Sequence, residues 1–358
     1  MNDQLNSFKS RKIFRIVIAA TLALLPLAAI NNALACATCG CSLSTDAAMG
    51  YSAEAGWRAS LDYSFVNQNQ LRSGTSSISP SQVAAINDAG GNQEVENQTI
   101  NRYITLGLSY ASSADWNYRL LVPYIDRSHT TYASASNPLT PDQISSANVN
   151  SLGDIKFIVS YQGVLPTHNL GFQLGVKLPT GDYGGPDASG TGTVGRSPVS
   201  FGPGGNAGGE LLDTSLQAGT GSTDLIVGSY YYQPVSQNFD AFVNGQFQAA
   251  VMNKLDQVGA DYRPGNLLTV SLGMRYEANP KIVPQLQVNL TRKSADLGAL
   301  ADTPDTAGTV AYLSPGVSAS IMKNTQGYAF LQLPVYSNLD GYQLFPRWTA
   351  SVGLGYSF

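Results

Sequence analysis

The sequence predicts an all-β chain closed into an antiparallel transmembrane β-barrel of about 12 strands. Three observations predict it: charge too sparse for a soluble protein, apolar residues at every second position, and connections that alternate between short and long. Of 358 residues only 12% are charged and 43% are hydrophobic, whereas ordinary soluble domains carry about 25% charged residues. A mean hydropathy of -0.07 is nevertheless too polar for a bundle of membrane helices. The same composition excludes a disordered tail and a highly charged nucleic-acid binder.

The chain opens with Lys9, Arg11, Lys12 and Arg15, followed by the apolar stretch Ile16–Ile30, broken by Pro26, and then Ala33-Leu34-Ala35. That stretch falls short of the roughly 20 apolar residues of a spanning helix, and the pattern is that of a cleaved export signal. Removing residues 1–35 leaves 16 basic and 23 acidic residues, a net charge of -7. The predicted organisation is a signal peptide over 1–35, a cysteine-containing periplasmic segment over 36–56 and a barrel over 57–358.

Alternation is cleanest at the end of the chain. Trp348, Ala350, Val352, Leu354, Tyr356 and Phe358 interleave with Thr349, Ser351, Gly353, Gly355 and Ser357. A helix would scatter these residues around its circumference, whereas a strand separates them into one apolar and one polar face. The pattern repeats in runs opening at Trp57, Ile104, Trp116, Ile155, Leu170, Leu225, Phe239, Leu268 and Ile282. Two further strands, near 309–321 and 328–336, have a register that the pattern does not set.

Short turns are predicted at Ser112–Asp115, Gly163–Asn169, Pro234–Asn238, Glu277–Lys281 and Met322–Gln326. Long segments separate them at Asn67–Thr99, Ser128–Ser151, Thr180–Ser222, Asn253–Gly265 and Ser294–Gly308. An outer-membrane barrel has this asymmetry, with short periplasmic turns and long external loops. Trp57, Tyr110, Trp116, Tyr161, Phe239, Tyr276 and Phe358 then fall at periplasmic strand ends as an interfacial girdle. The strand charges Arg58, Asp62, Arg119, Asp154, Lys156, Lys177, Asp224, Asp240 and Arg275 all occupy the polar phase. Facing lipid at mid-depth would cost an Arg or Lys roughly 2–4 kcal/mol. Pro123, Pro284, Pro315 and Pro334 cannot donate to a ladder, so bulges or interrupted pairing are expected there.

Several segments resemble an outer-membrane family named for the MetA pathway of phenol degradation. They are Ser151-Leu-Gly-Asp-Ile155, Lys177-Leu-Pro-Thr-Gly-Asp-Tyr183, Thr220-Gly-Ser-Thr-Asp-Leu225, Tyr312-Leu-Ser-Pro-Gly316, Leu333-Pro-Val-Tyr336 and Asn338-Leu-Asp-Gly-Tyr-Gln-Leu344. The resemblance covers most of the barrel. It implies a porin-like transporter of small molecules, including aromatic or apolar ones, and supplies no catalytic residues. The alternating segment ending in Phe358 also looks like the signal read by the outer-membrane barrel assembly machinery.

The cysteines, Cys36, Cys39 and Cys41, form Cys-x-x-Cys-x-Cys at the expected cleavage point, outside that resemblance. Three uses of sulfur remain open. Cys36 follows Ala35 and invites lipidation, although Ala33 stands where a lipobox usually has Leu. Three thiolates so close together suit a soft cation, Cu(I) or Zn. In an oxidising periplasm two can pair as a disulfide, with Cys36 as one partner because the Cys39–Cys41 loop is very short. Covalent haem needs His at position 40, which is Gly.

Catalysis finds little to work with. His129 and His168 are placed at opposite barrel ends, and Asp126 points away from His129 on an unbulged strand. The Gly-rich stretch Gly181–Gly221 lacks the Lys-Ser/Thr of a phosphate cradle. It reads as an external loop that stays mobile, binds calcium through Asp182, Asp187, Glu210 and Asp213, or folds inward as a constriction.

The reading is therefore a Gram-negative outer-membrane channel for passive passage of small solutes, with outer-membrane lipid around it, no nucleic-acid partner and its N-terminus in the periplasm. Arg58, Asp62, Arg119, Lys156, Lys177 and Arg275 are the expected pore-lining set. The alternative is a binding or structural barrel that presents the cysteine segment to a metal or a periplasmic redox partner.

Overall fold

The computed structural model describes residues 55–186, 193–194 and 212–358. The predicted signal peptide and Cys36, Cys39 and Cys41 lie outside the described residues, as do Asp187 and Glu210. None of the described helices is long and apolar enough to cross a membrane. Twelve longer strands carry the fold: β1 (Gly56–Gly74), β2 (Glu96–Ala111), β3 (Trp116–Tyr132), β4 (Ile144–Leu152), β5 (Lys156–Tyr161) and β6 (Leu170–Lys177), then β7 (Ser222–Ser236), β8 (Phe239–Asn253), β9 (Leu267–Tyr276), β10 (Ile282–Lys293), β11 (Gly308–Met322) and β12 (Thr325–Ser357). One α-helix, α1 (Pro80–Asp88), lies in the segment joining β1 to β2.

The sheet closes on itself. Its order is β12-β11-β10-β9-β8-β7-β6-β5-β3-β2-β1, and β12 pairs back onto β1. Every pairing is antiparallel. The closed path contains eleven continuous elements, with β4 and the two-residue strand Ser76–Ser77 attached outside it, and because β12 doubles back on itself they supply twelve antiparallel staves.

Two of the expected twelve strands are joined in β12, a continuous 33-residue element. Its first half pairs with β11, from Met322↔Thr325 to Gly308↔Leu339, and its second half pairs with β1, from Gly74↔Leu339 to Arg58↔Ser357. The two halves run in opposite directions. Gly341, at φ +59, sits at the reversal, a conformation that costs glycine nothing. The reversal falls within the segment 336–344, where a break between strands is expected, and its flanks are held on the β11 and β1 ladders.

A second difference concerns the strand opening at Ile155. The residues before it were assigned to a long loop, yet β4 occupies 144–152 and pairs with the upper half of β3, while β5 pairs with the lower half. The break between them falls opposite Pro123, whose carbonyl accepts from the Gly153 N–H at 2.8 Å. A residue without an N–H is tolerated where its partner strand is interrupted.

The other prolines follow the same logic. The ladder between β11 and β12 has a gap at Pro315 and a register shift beside Pro334. The β9–β10 ladder ends at Gln285, one residue before Pro284.

The exterior is apolar. On β1, Leu61 is 51% exposed while Ser60 is 6%, and this inversion of the soluble pattern runs round the ring through Leu106, Leu120, Phe157, Leu174, Val227, Leu272, Leu286 and Leu354. Such a belt is a liability in water and a match for hydrocarbon tails. Aromatic pairs cluster where the short turns are: Trp57–Tyr110 and Trp116–Tyr161 at 4.7 Å, Phe239–Tyr276 at 4.9 Å, and Tyr356–Phe358 at 5.0 Å between ring centroids.

Candidate functional site: the barrel interior

All nine strand charges assigned to the polar phase lie off the exposed outer face. Their environments differ with height. Near the short turns, Arg275 pairs with Glu277 at 3.0 Å, and Arg58 donates to Gln326 and Ser357 across the seam with β12. Asp62 accepts from Ser60 and from the Tyr328 hydroxyl.

At mid-height Lys177 is buried. Its Nζ lies 2.9 Å from Asp154 and 3.3 Å from Asp224 and also donates to Ser222 at 3.0 Å and to Thr220. Lys156 Nζ donates to Gln248, whose amide donates in turn to Asp224. Charges of opposite sign are thus satisfied between neighbouring strands.

Inward aromatics occupy the half nearer the short turns. Tyr230 lies over Gly171, Phe242 over Gly273, Phe330 over Gly316 and Tyr328 over Gly353, each ring filling the space a Cβ on the neighbouring strand would take. All four rings are at most 6% exposed. Sequence alternation puts Tyr230 and Phe242 on the polar phase and leaves the register around Tyr328 and Phe330 open, so it identifies none of the four as inward. The signal was the inward glycine on an adjacent strand, invisible until register is known.

The end carrying the long loops is lined differently. Val66, Leu71, Val310, Tyr312, Leu344 and Phe345 form one buried apolar cluster on the inner wall, into which α1 inserts Val83 and Ala84. Ser79 caps α1 by accepting from the Gln82 N–H, and Gln82 returns the bond to the Ser79 backbone. The helix is pinned by Asn87, which donates to the carbonyls of Gln93 at 2.8 Å and Ala135 at 2.6 Å. Asp88 accepts from Asn137 at 2.9 Å.

A second buried cluster joins Ile125, Ala147 and Val149 to Leu212, Leu216 and Ala218 of the segment entering β7. Arg127, inward on β3, holds that segment by donating to the carbonyls of Leu216 and Gln217 and to Tyr103. Residues 212–218, at the end of the Gly-rich stretch, therefore pack against the inward side chains of β3. Asp182 accepts from Ser151, and Asp154 fixes the roots of the loop through Gly181 and Thr220.

The histidines are far apart in the fold. Buried His129 bonds Thr99 at 2.6 Å through Nδ1, with Glu94 3.6 Å from Nε2, while Asp126 pairs outward with Arg102 at 3.1 Å. His168 meets Asp115 in a short turn.

A closed antiparallel ring with an apolar exterior, an aromatic fringe and a polar interior defines a transmembrane β-barrel. Among solved structures, the chain is similar to an outer membrane channel from Pseudomonas putida F1, with a TM-score of 0.57 at 11% identity over 85% of this chain and 96% of that one. Looser similarity extends to the β-domain of the Bordetella autotransporter BrkA (TM-score 0.48, 12% identity, 85% and 100% coverage) and to the CymD monoaromatic hydrocarbon channel (0.43, 11%, 88% and 94%). No family model and no curated protein matches the chain.

Proposed function

We propose that this chain is a passive outer-membrane channel for small apolar or aromatic solutes, with its long loops outside the cell and its N-terminus in the periplasm. One observation carries the reading: the loop end of the interior is lined by a buried apolar cluster that includes Tyr312 and Phe345. The sequence pattern alone offered no greasy route through the barrel. Here such a route begins at the mouth, where a solute that avoids water would first be held. The barrel likeness to the Pseudomonas channel supports the fold, and the segments resembling the phenol-degradation family support the solute class.

Arg58, Arg119 and Arg275 are proposed to shape the rim at the short-turn end, while Lys177 serves the wall. Neutralising the three arginines should alter ion selectivity in planar-bilayer recordings, and unchanged selectivity removes them from the path.

The decisive experiment is uptake of a labelled apolar aromatic at low concentration by a porin-poor Gram-negative strain with an intact lipopolysaccharide layer. Expression of the chain should raise the initial rate several-fold over empty vector. An unchanged rate, together with silence in planar bilayers, would overturn the channel. The Cys-x-x-Cys-x-Cys spacing supports a second reading, a metal-holding periplasmic segment. That reading requires stoichiometric copper or zinc in exported protein and its loss in a Cys36→Ser, Cys39→Ser, Cys41→Ser variant.

A further inference from the structure

The inner wall is chemically divided. Inward charges belong to β1–β3 and β5–β9, whereas on β10, β11 and β12 the inward positions are neutral amides, hydroxyls and apolar groups, with Lys293 at the loop end as the exception. Lys293 is itself matched by Asp296 at 2.7 Å. Where this neutral wall meets the apolar cluster, Thr291, Val310 and Ser337 lie side by side in register on three successive strands, and Asn289 pairs with Tyr312 in the adjoining row.

Among the described residues, three polar atoms on this patch have no protein partner: Asn289 Oδ1, Thr291 Oγ1 and Ser337 Oγ. Their residues are 0%, 5% and 4% exposed. The amide nitrogen of Asn289 is used, donating to Ser314 at 2.8 Å, which fixes its oxygen as the open group. Tyr312 and Phe345 stack nearby with centroids 6.3 Å apart. A buried polar atom left unmatched costs stability, so such groups on a binding wall point to a ligand that matches them.

We propose that this wall, where β10, β11 and β12 meet below α1, is a binding site for a neutral amphipathic solute: an apolar body with a hydroxyl or similar hydrogen-bonding group. The proposal rests on the channel reading and sharpens its solute class. A hydrocarbon would satisfy Tyr312, Phe345, Val310 and Leu339 but leave the three polar atoms unmatched. A carboxylate or ammonium would have to shed its hydration at a wall whose own inward charge, Lys293, is already paired, and Arg72 of β1, which lies 5.4 Å over the Phe345 ring, is already engaged with the Thr75 carbonyl. A solute with both halves fits both. Val83 and Ala84 of α1 pack into the same cluster, so entry displaces the helix and replaces its contacts with the solute's own.

The test is isothermal titration of the full chain in lipid nanodiscs with benzyl alcohol, toluene and benzoate, empty nanodiscs providing the blank. Benzyl alcohol should bind about tenfold more tightly than toluene, since a site built around hydrogen-bonding groups rejects an analogue lacking them, and benzoate should not bind. Thr291→Val with Ser337→Ala conserves shape and should bring benzyl alcohol down to the toluene value while leaving toluene unchanged. Asn289→Leu provides a second variant should that pair assemble poorly. Toluene binding as well as benzyl alcohol in the wild type, or a preference surviving in both variants, would overturn the proposal. Conductance without the preference defeats this inference alone. Residue-dependent binding in a protein that passes nothing defeats the channel reading and leaves the site.

Discussion

Lys177 on β6 and Asp154, in the break between β4 and β5, are joined across the wall at 2.9 Å, with side chains 5% and 7% exposed. Asp154 also accepts from the Gly181 and Thr220 N–H groups, so one carboxylate ties the cation to both roots of the Gly-rich loop. Removing the cation leaves Asp154 and Asp224 buried without compensation. Lys177→Met should cost about 3–5 kcal/mol, the usual penalty for breaking a buried pair from one side. Denaturant unfolding in lipid vesicles measures it. Lys156→Met, which loses a neutral glutamine partner, should cost less, and equal costs would contradict the arrangement.

Phe330 covers Gly316, filling the space above it. A methyl group at 316 would overlap the ring and force it to move, with an expected cost of about 1–3 kcal/mol for overpacking. Phe330→Ala works in the other direction, removing bulk from the inner face. It should raise single-channel conductance, whereas Gly316→Ala should lower the unfolding midpoint in denaturant. A conductance unaffected by Phe330→Ala would show that this ring does not narrow the path.

Asn87 makes three hydrogen bonds from one side chain: two donated to the carbonyls of Gln93 and Ala135, and one accepted from the Gln93 N–H at 2.6 Å. Truncation to alanine removes the pin between α1 and the β3–β4 loop and leaves those backbone groups seeking water. Local loosening of about 1–3 kcal/mol should follow. Amide exchange over residues 80–93 should quicken by one to two orders of magnitude while the strand amides stay protected. Equal protection in variant and wild type would mean that the apolar contacts of Val83 and Ala84 hold the helix unaided.

The alternation of apolar and polar residues made the barrel legible, because period 2 against lipid leaves few other solutions, and runs such as Trp57–Phe65 and Trp348–Phe358 appear as strands in the structure. The extra strand β4 was not legible. Its residues 144–152 are mostly polar and become extended along the upper half of β3, which supplies the hydrogen bonds. The interior was harder still. Which strand neighbours which decides that Phe330 lies over Gly316, or that Lys177 meets Asp154, and a list of polar-phase residues carries no such register. The apolar mouth escaped notice for another reason: Leu344 and Phe345 lie where the pairing with β1 shifts register, so their phase differs from the run that follows.

Asp305, in the loop between β10 and β11, is held above the usual carboxylate range, first by burial and also by the nearby charges of Glu94 and Asp340; the Tyr342 N–H bond opposes the shift. The folded state therefore binds this proton more tightly than the unfolded chain does. Between the ordinary value of 3.8 and the raised one, stability falls as pH rises, because ionisation is penalised only in the folded protein. Asp305→Asn keeps an acceptor for the Tyr342 N–H, which lies at 2.6 Å, and removes the charge. At neutral pH the variant should unfold at a higher temperature than the wild type, and the gap should shrink as the pH is lowered through that window. A gap that stayed constant with pH would place the cause in packing and not in the proton.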